Sequence, residues 1–152
     1  MSQTIEPEEA ADRRSIRKLI DDYACCAERH DAESQIALFA EDAAFHVYMN
    51  GHCPEPTYVL YGRSALAPVF VDLNQYLATV YFNDQSRISL QGPSATGESF
   101  CIAHYLRVEG DKRTLMLASI RYLDMFVKQS GAWLFAERKL MVDWTDLRVT
   151  TS

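Results

Sequence analysis

Residues 113–144, RTLMLASIRYLDMFVKQSGAWLFAERKLMVDW, decide how this chain folds. Two apolar runs rich in aromatic and branched residues flank QSGA, residues 129–132. A short glycine-containing connection of that kind is what a hairpin between long strands requires. Side chains alternate across a strand, so Ile120, Tyr122, Asp124 and Phe126 are expected on one face of the first arm. Leu134, Ala136, Arg138, Leu140 and Val142 are expected to share one face of the second. Each face thus carries a charge among apolar neighbours. A guanidinium does not shed its proton, so Arg138 calls for an anion, a carboxylate partner or an opening to water. Two readings stand: Asp124 and Arg138 pair or sit near a wet sheet end, or the concave side of a curved sheet forms a pocket with a cation on its wall.

Outward from the hairpin, the period-two pattern reaches back to residue 80. Val80–Leu90, Thr96–Val108, Thr114–Val127 and Trp133–Trp144 are four successive strand candidates, separated by QGPSA, EGDK and QSGA. Before them the pattern is helical. From about Glu8 to His30, Ile16, Leu19, Ile20, Tyr23 and Ala27 recur at intervals of three and four. Asp31 reads as the N-cap of a second, short helix, with Glu33 in its first turn and Ile36, Leu38 and Phe39 on its buried side. AEDAAFHVYMNG, residues 40–51, reads as a first strand, HCPEPT as a loop, and Tyr58–Tyr61 as a short extended piece. Ser64 is the expected N-cap of a third helix with Leu66, Val69, Phe70, Leu73 and Leu77 on its inner face and Pro68 in its first turns. Helices followed by long antiparallel strands make an α+β domain with the helices covering one sheet face. Its expected bounds are 10–146, between a flexible 1–9 and a tail at 147–152.

The 152 residues suit one domain, and the hydrophobic fraction of 48% is that of an ordinary globular chain. A net charge of −6 argues against a nucleic-acid surface, which draws on clustered Lys and Arg. The basic cluster Arg13, Arg14, Arg17 and Lys18 lies between acidic residues and reads as a solvated helix face. No apolar run has the length of a membrane span and the N-terminus is acidic, so a cytoplasmic location is expected. Cys25, Cys26, Cys53 and Cys101 show no CxxC spacing, and free, mostly buried thiols are expected. His52 and Cys53 lack a third ligand at metal spacing, so neither metal nor cofactor is expected.

The run IRKLIDDYACCAERHDAESQIALFAEDAAF, the Tyr61-Gly62-Arg63 before the third helix, VYFNDQSRISL, ATGESFCIAHY and RYLDMFVKQSGAWLFAERK together resemble the nuclear-transport-factor-2-like superfamily. The nearest branch is the SnoaL-like group, which includes scytalone dehydratase, lindane dehydrochlorinase and polyketide cyclases. The resemblance runs from about Ala10 to Trp144. It implies a cone-shaped, curved antiparallel sheet wrapped around a long N-terminal helix, with a deep apolar pocket between them. It also implies a catalytic acid late in the first helix, which is Glu28 here, and an Arg on the pocket wall, which is Arg138. Where the dehydratase and dehydrochlorinase members carry a His, this chain has Tyr81. A second catalytic His of scytalone dehydratase falls near His104 or Tyr105.

Phenol is a poor base at neutral pH, so Tyr81 is suited to donating a proton or hydrogen bond, leaving base duty to Glu28. The implied site is Glu28, Tyr81 and Arg138 as catalytic groups, with Tyr23, Tyr48, His104, Tyr105, Tyr122 and Asp124 around the substrate. Each has a plainer reading: Glu28 as a surface residue at a helix end, Tyr81 as a core aromatic, His104 as a hydrogen-bonded core histidine. Two functions follow. One is a cofactor-independent lyase of dehydratase type, or an isomerase or cyclase, acting on a small hydrophobic cyclic molecule. The other is a non-catalytic module for hydrophobic-ligand binding or dimerisation. A homodimer or homotrimer through the convex sheet face is expected by either.

Overall fold

The computed structural model describes residues 6–150, and the first five and last two residues lie outside them. α1 (Pro7–Arg29) begins earlier than expected, because Pro7 is pre-set for a first helical turn and Glu8 and Glu9 suit its dipole. It ends where His30 turns left-handed at φ 55°. α2 (Ala32–Ile36) is capped by Asp31, whose side chain accepts from the Ser34 N–H at 3.1 Å. α2 is shorter than its apolar pattern suggested. Phe39 belongs instead to β1 (Phe39–Tyr48), and a loop leads from there to β2 (Tyr58–Tyr61).

α3 (Arg63–Val71) is capped at Gly62, not Ser64, and holds Pro68 inside. A 3-10 turn (Asp72–Gln75) follows. Leu66 and Phe70 are buried as expected, but Leu77 lies beyond the helix and is 60% exposed. The four long strands are β3 (Ala78–Gln91), β4 (Ser94–Glu109), β5 (Lys112–Gln129) and β6 (Ala132–Thr150). β6 thus continues into the expected tail, because β5 extends far enough to pair Arg113 with Thr150.

The six strands run in the order β2-β1-β6-β5-β4-β3 in a sheet that is curved and not closed. The sheet is not wholly antiparallel: β1 lies parallel to β6, with β2, α3, the 3-10 turn and β3–β5 between them in the chain. Bulges at Asp84/Gln85 in β3, at Ala136 and at Asp143 bend the strands and reset their alternation. The bulge at Ala136 corrects the expected face of β6. Leu134 and Ala136 do not share it with Arg138; Trp133 and Phe135 do, at 6% and 0% exposure.

The core lies between α1 and the inner sheet face. Ile16, Leu19, Ile20, Tyr23, Ala24 and Ala27 are buried there, against rings that include Phe39, Phe126 and Phe135. Asp12 on α1 ties down the β5–β6 hairpin, receiving Lys128 Nζ at 3.0 Å and Trp133 Nε1 at 2.9 Å. α1 also covers the free edge of β3. Arg13 donates to the Ile88 carbonyl at 2.7 Å, and Glu28 accepts from the Tyr81 N–H at 3.1 Å. Unpaired strand edges invite pairing with other chains, and these contacts close that one. The four cysteines are free, though Cys101 alone is buried and Cys53 is exposed.

Candidate functional site

A hollow of about 310 Å³ opens between the inner sheet face and the α3–3-10 segment. Its floor comes from alternate residues of the bent strands: Phe45 and Val47 of β1, Ala118 and Ile120 of β5, and Leu140 and Val142 of β6. Past the Asp143 bulge the parity of β6 changes, which turns Thr145 inward onto the same wall. Val69, Phe70, Leu73 and Tyr76 form the opposite side, and Tyr23 and Gln35 lie at the inner end. The wall is mostly apolar, and its size is at the lower end of small-molecule sites.

The polar feature of this wall is a pair of phenols. Tyr81 and Tyr105 face each other from β3 and β4 with their hydroxyls 2.7 Å apart, and Tyr76 packs on Tyr105 with ring centroids 4.9 Å apart. Burial pushes both hydroxyls above the usual phenol range. Both are therefore protonated at neutral pH and suited to donation. One proton is used within the pair, which leaves one to offer to an oxygen in the hollow. Asp72 and Tyr58 also line the hollow, and burial together with the Asp72 carboxylate raises the Tyr58 phenol.

Glu28 and Arg138 do not share this hollow, contrary to the expectation drawn from the sequence. Glu28 is exposed, and its carboxylate accepts the backbone N–H of Tyr81 at the strand edge. Arg138 is 1% exposed and enclosed in the core. Its Cζ lies 3.5 Å from the Tyr122 ring centroid, 4.1 Å from that of Tyr23 and 4.5 Å from that of Phe135. Asp124 stands directly across from it, with Nε and Oδ1 3.2 Å apart. The distance is that of an ion pair but the angle is poor: neither carboxylate oxygen of Asp124 has a hydrogen-bond partner. Burial pushes the Asp124 carboxyl up to about 7, with Arg138 pulling it back.

Of the expected substrate-contacting residues, Tyr23 and Tyr105 line the hollow, whereas Tyr122 and Asp124 are packed around Arg138. Tyr48 and His104 project from the outer face, because Val47 and Tyr105 beside them point inward. His104 is not a core residue: Nδ1 lies 3.3 Å from the Val80 carbonyl, and its ring packs on the exposed Phe82. Reading the sequence missed Tyr58, Asp72 and Tyr76. Asp72 and Tyr76 sit where helix gives way to irregular backbone and Tyr58 opens the short strand β2 after a loop, so no period marks which of these side chains turn inward. Among the described residues no group of three His, Cys, Asp or Glu side chains is placed to hold a metal ion, and no helix is long and apolar enough to cross a membrane.

A SnoaL-like domain model matches residues 8–139, and the chain belongs to that family, within the nuclear-transport-factor-2-like superfamily. A putative scytalone dehydratase from Novosphingobium aromaticivorans superposes with a TM-score of 0.77 at 22% identity, covering 90% of this chain and 87% of the other. A type 2 hexachlorocyclohexane dehydrochlorinase gives 0.73 at 17% identity, covering 91% and 90%. A cystatin-like protein of unknown function from Nostoc punctiforme gives 0.69 at 22% identity, covering 94% and 96%. At these identities the likeness is one of fold. No curated protein matches the chain.

Proposed function

We propose that the protein binds a small, largely apolar cyclic molecule in this hollow, with an oxygen of the ligand on the Tyr81–Tyr105 hydroxyl pair. The observation that carries this is a pair of protonated phenols, 2.7 Å apart, on the wall of a mostly apolar cavity. Apolar walls supply the affinity and the phenols fix the orientation. Binding of 2-naphthol, followed by its fluorescence, tests it. The wild type and Glu28→Gln should bind alike, Tyr81→Phe several-fold more weakly, and naphthalene, which has no oxygen, should be indifferent to Tyr81→Phe. Equal binding of 2-naphthol to wild type and Tyr81→Phe refutes the assignment.

A lyase or isomerase is the second reading, favoured by the same hydrogen-bond donors and by structural neighbours named as a putative scytalone dehydratase and hexachlorocyclohexane dehydrochlorinases. Polarising a carbonyl or assisting a leaving hydroxide is within the reach of a phenol. The base is the weak point, since among the described residues Asp72 is the only carboxylate on the wall. Turnover of scytalone or hexachlorocyclohexane that disappears in Tyr81→Phe would establish this reading. We also propose a homodimer or homotrimer through the outer sheet face, where Phe82, Phe100, Leu123, Met125 and Trp144 are exposed. Sedimentation at the 17.3 kDa monomer mass at micromolar concentration would exclude it.

A further inference from the structure

The walls of the hollow carry a marked imbalance of charge. Among the described residues no Lys, Arg or His lines the hollow, whereas Asp72 contributes a carboxylate from the first residue of the 3-10 turn. Five tyrosines and two phenylalanines also line it, and aromatic faces are electron-rich. The nearest buried cation, Arg138, is behind Tyr23 and matched to Asp124. Arg107 lies over the Tyr76 ring, 5.4 Å from its centroid, but is not part of the wall and is held by Glu109 and Gln75.

An anionic ligand would therefore give up its hydration without gaining a charged partner, and would meet the field of Asp72. A protonated amine meets the reverse. Its apolar body can occupy the hollow while its ammonium stays at the exposed Asp72, where solvent still reaches it. The nearby Tyr58 responds to that carboxylate, which places the two groups within electrostatic reach.

We propose that the hollow selects by charge, favouring small apolar amines in their protonated form over neutral analogues and rejecting carboxylates, with Asp72 as the specificity-determining residue. This rests on the ligand-binding reading given above. The test uses three probes on one scaffold: 2-naphthylmethylamine, 2-naphthylmethanol and 2-naphthylacetate, titrated at pH 7 and low ionic strength. The amine should bind about fivefold more tightly than the alcohol through an ion pair with the exposed Asp72, and the acetate more weakly than either. Asp72→Asn should bring the amine to the level of the alcohol and leave the alcohol unchanged, and added salt should narrow the gap in the wild type.

Acetate binding as tight as alcohol binding overturns the proposal, as does an amine preference that survives Asp72→Asn. In both cases the alcohol still binds, so the hydrophobic-ligand reading stands. Failure of all three probes to bind the wild type refutes that reading and the charge selection with it.

Discussion

The Tyr81–Tyr105 pair offers the sharpest test of the site, because its members are coupled and the coupling can be measured. The hydroxyls are 2.7 Å apart and each ring is half-buried, with centroids 5.9 Å apart in an edge-to-face arrangement. Either single substitution to Phe removes one hydrogen bond and leaves a hydroxyl without its partner, costing about 0.5–1.5 kcal/mol. The double substitution removes both hydroxyls and strands neither, so it should cost no more than either single change. The resulting coupling, about 1 kcal/mol, exceeds the 0.3–0.5 kcal/mol scatter of independent sites. With a urea dependence near 2 kcal/mol/M, each single variant should lower the unfolding midpoint by about 0.5 M. Urea melts followed by circular dichroism on the four proteins close the cycle. Strict additivity would mean that the hydroxyls do not interact, and the donor pair proposed for the ligand would not exist.

Three other outcomes follow from the buried groups. Tyr23 is pushed up to about 12, chiefly by burial, and burial raises Tyr81, Tyr105 and Tyr122 as well. A group whose folded pKa is raised contributes stability that is complete below its unfolded value, about 10 for phenol, and is lost as pH rises through the folded value. Stability should therefore be insensitive to these groups up to about pH 9, then fall steeply above pH 10, with tyrosinate absorbance and loss of circular dichroism rising together. The same sign applies to Asp124: its carboxyl is raised to about 7, so stability should decline between about pH 4 and that value, and Asp124→Asn should flatten this part of the profile. Gly97 faces Phe126 across β4 and β5, and a Cβ there would lie 2.8 Å from the ring. Gly97→Ala should cost about 1–3 kcal/mol in urea melts despite the lower chain entropy of Ala, and less in a Phe126→Leu background, where the obstructing ring is gone.

Much of the fold is written in local patterns. The helical stripe from Ile16 to Ala27, the Asp31 cap and the four period-two runs separated by glycine-containing turns each place an element without reference to the rest of the chain. That the hairpin carries Asp124 and Arg138 among apolar residues was also legible. Their opposition was not, because the QSGA turn alone would set Asp124 across from Glu137 and the extra residue at Ala136 moves Arg138 into that place. Bulges were not: a residue such as Ala136 has no chemistry that announces an extra position, yet it moves Leu134 to the opposite face and puts Phe135 in the core. The parallel pairing of β1 with β6 was equally hidden, since the two strands are separated by most of the sequence.

Sequence alone determined that this chain forms an α+β domain with a carboxylate and a guanidinium among the apolar residues of its hairpin and phenols spaced along the strands. The tertiary structure decided what those groups face. Glu28 lies at a strand edge and Arg138 within an aromatic enclosure because α1 crosses the sheet at a particular depth and angle, a result of packing many side chains at once. Helix and strand periods fix which residues are neighbours along an element. Which of them share a cavity depends on bulges, on crossing geometry and on where an irregular turn such as Asp72–Gln75 comes to rest.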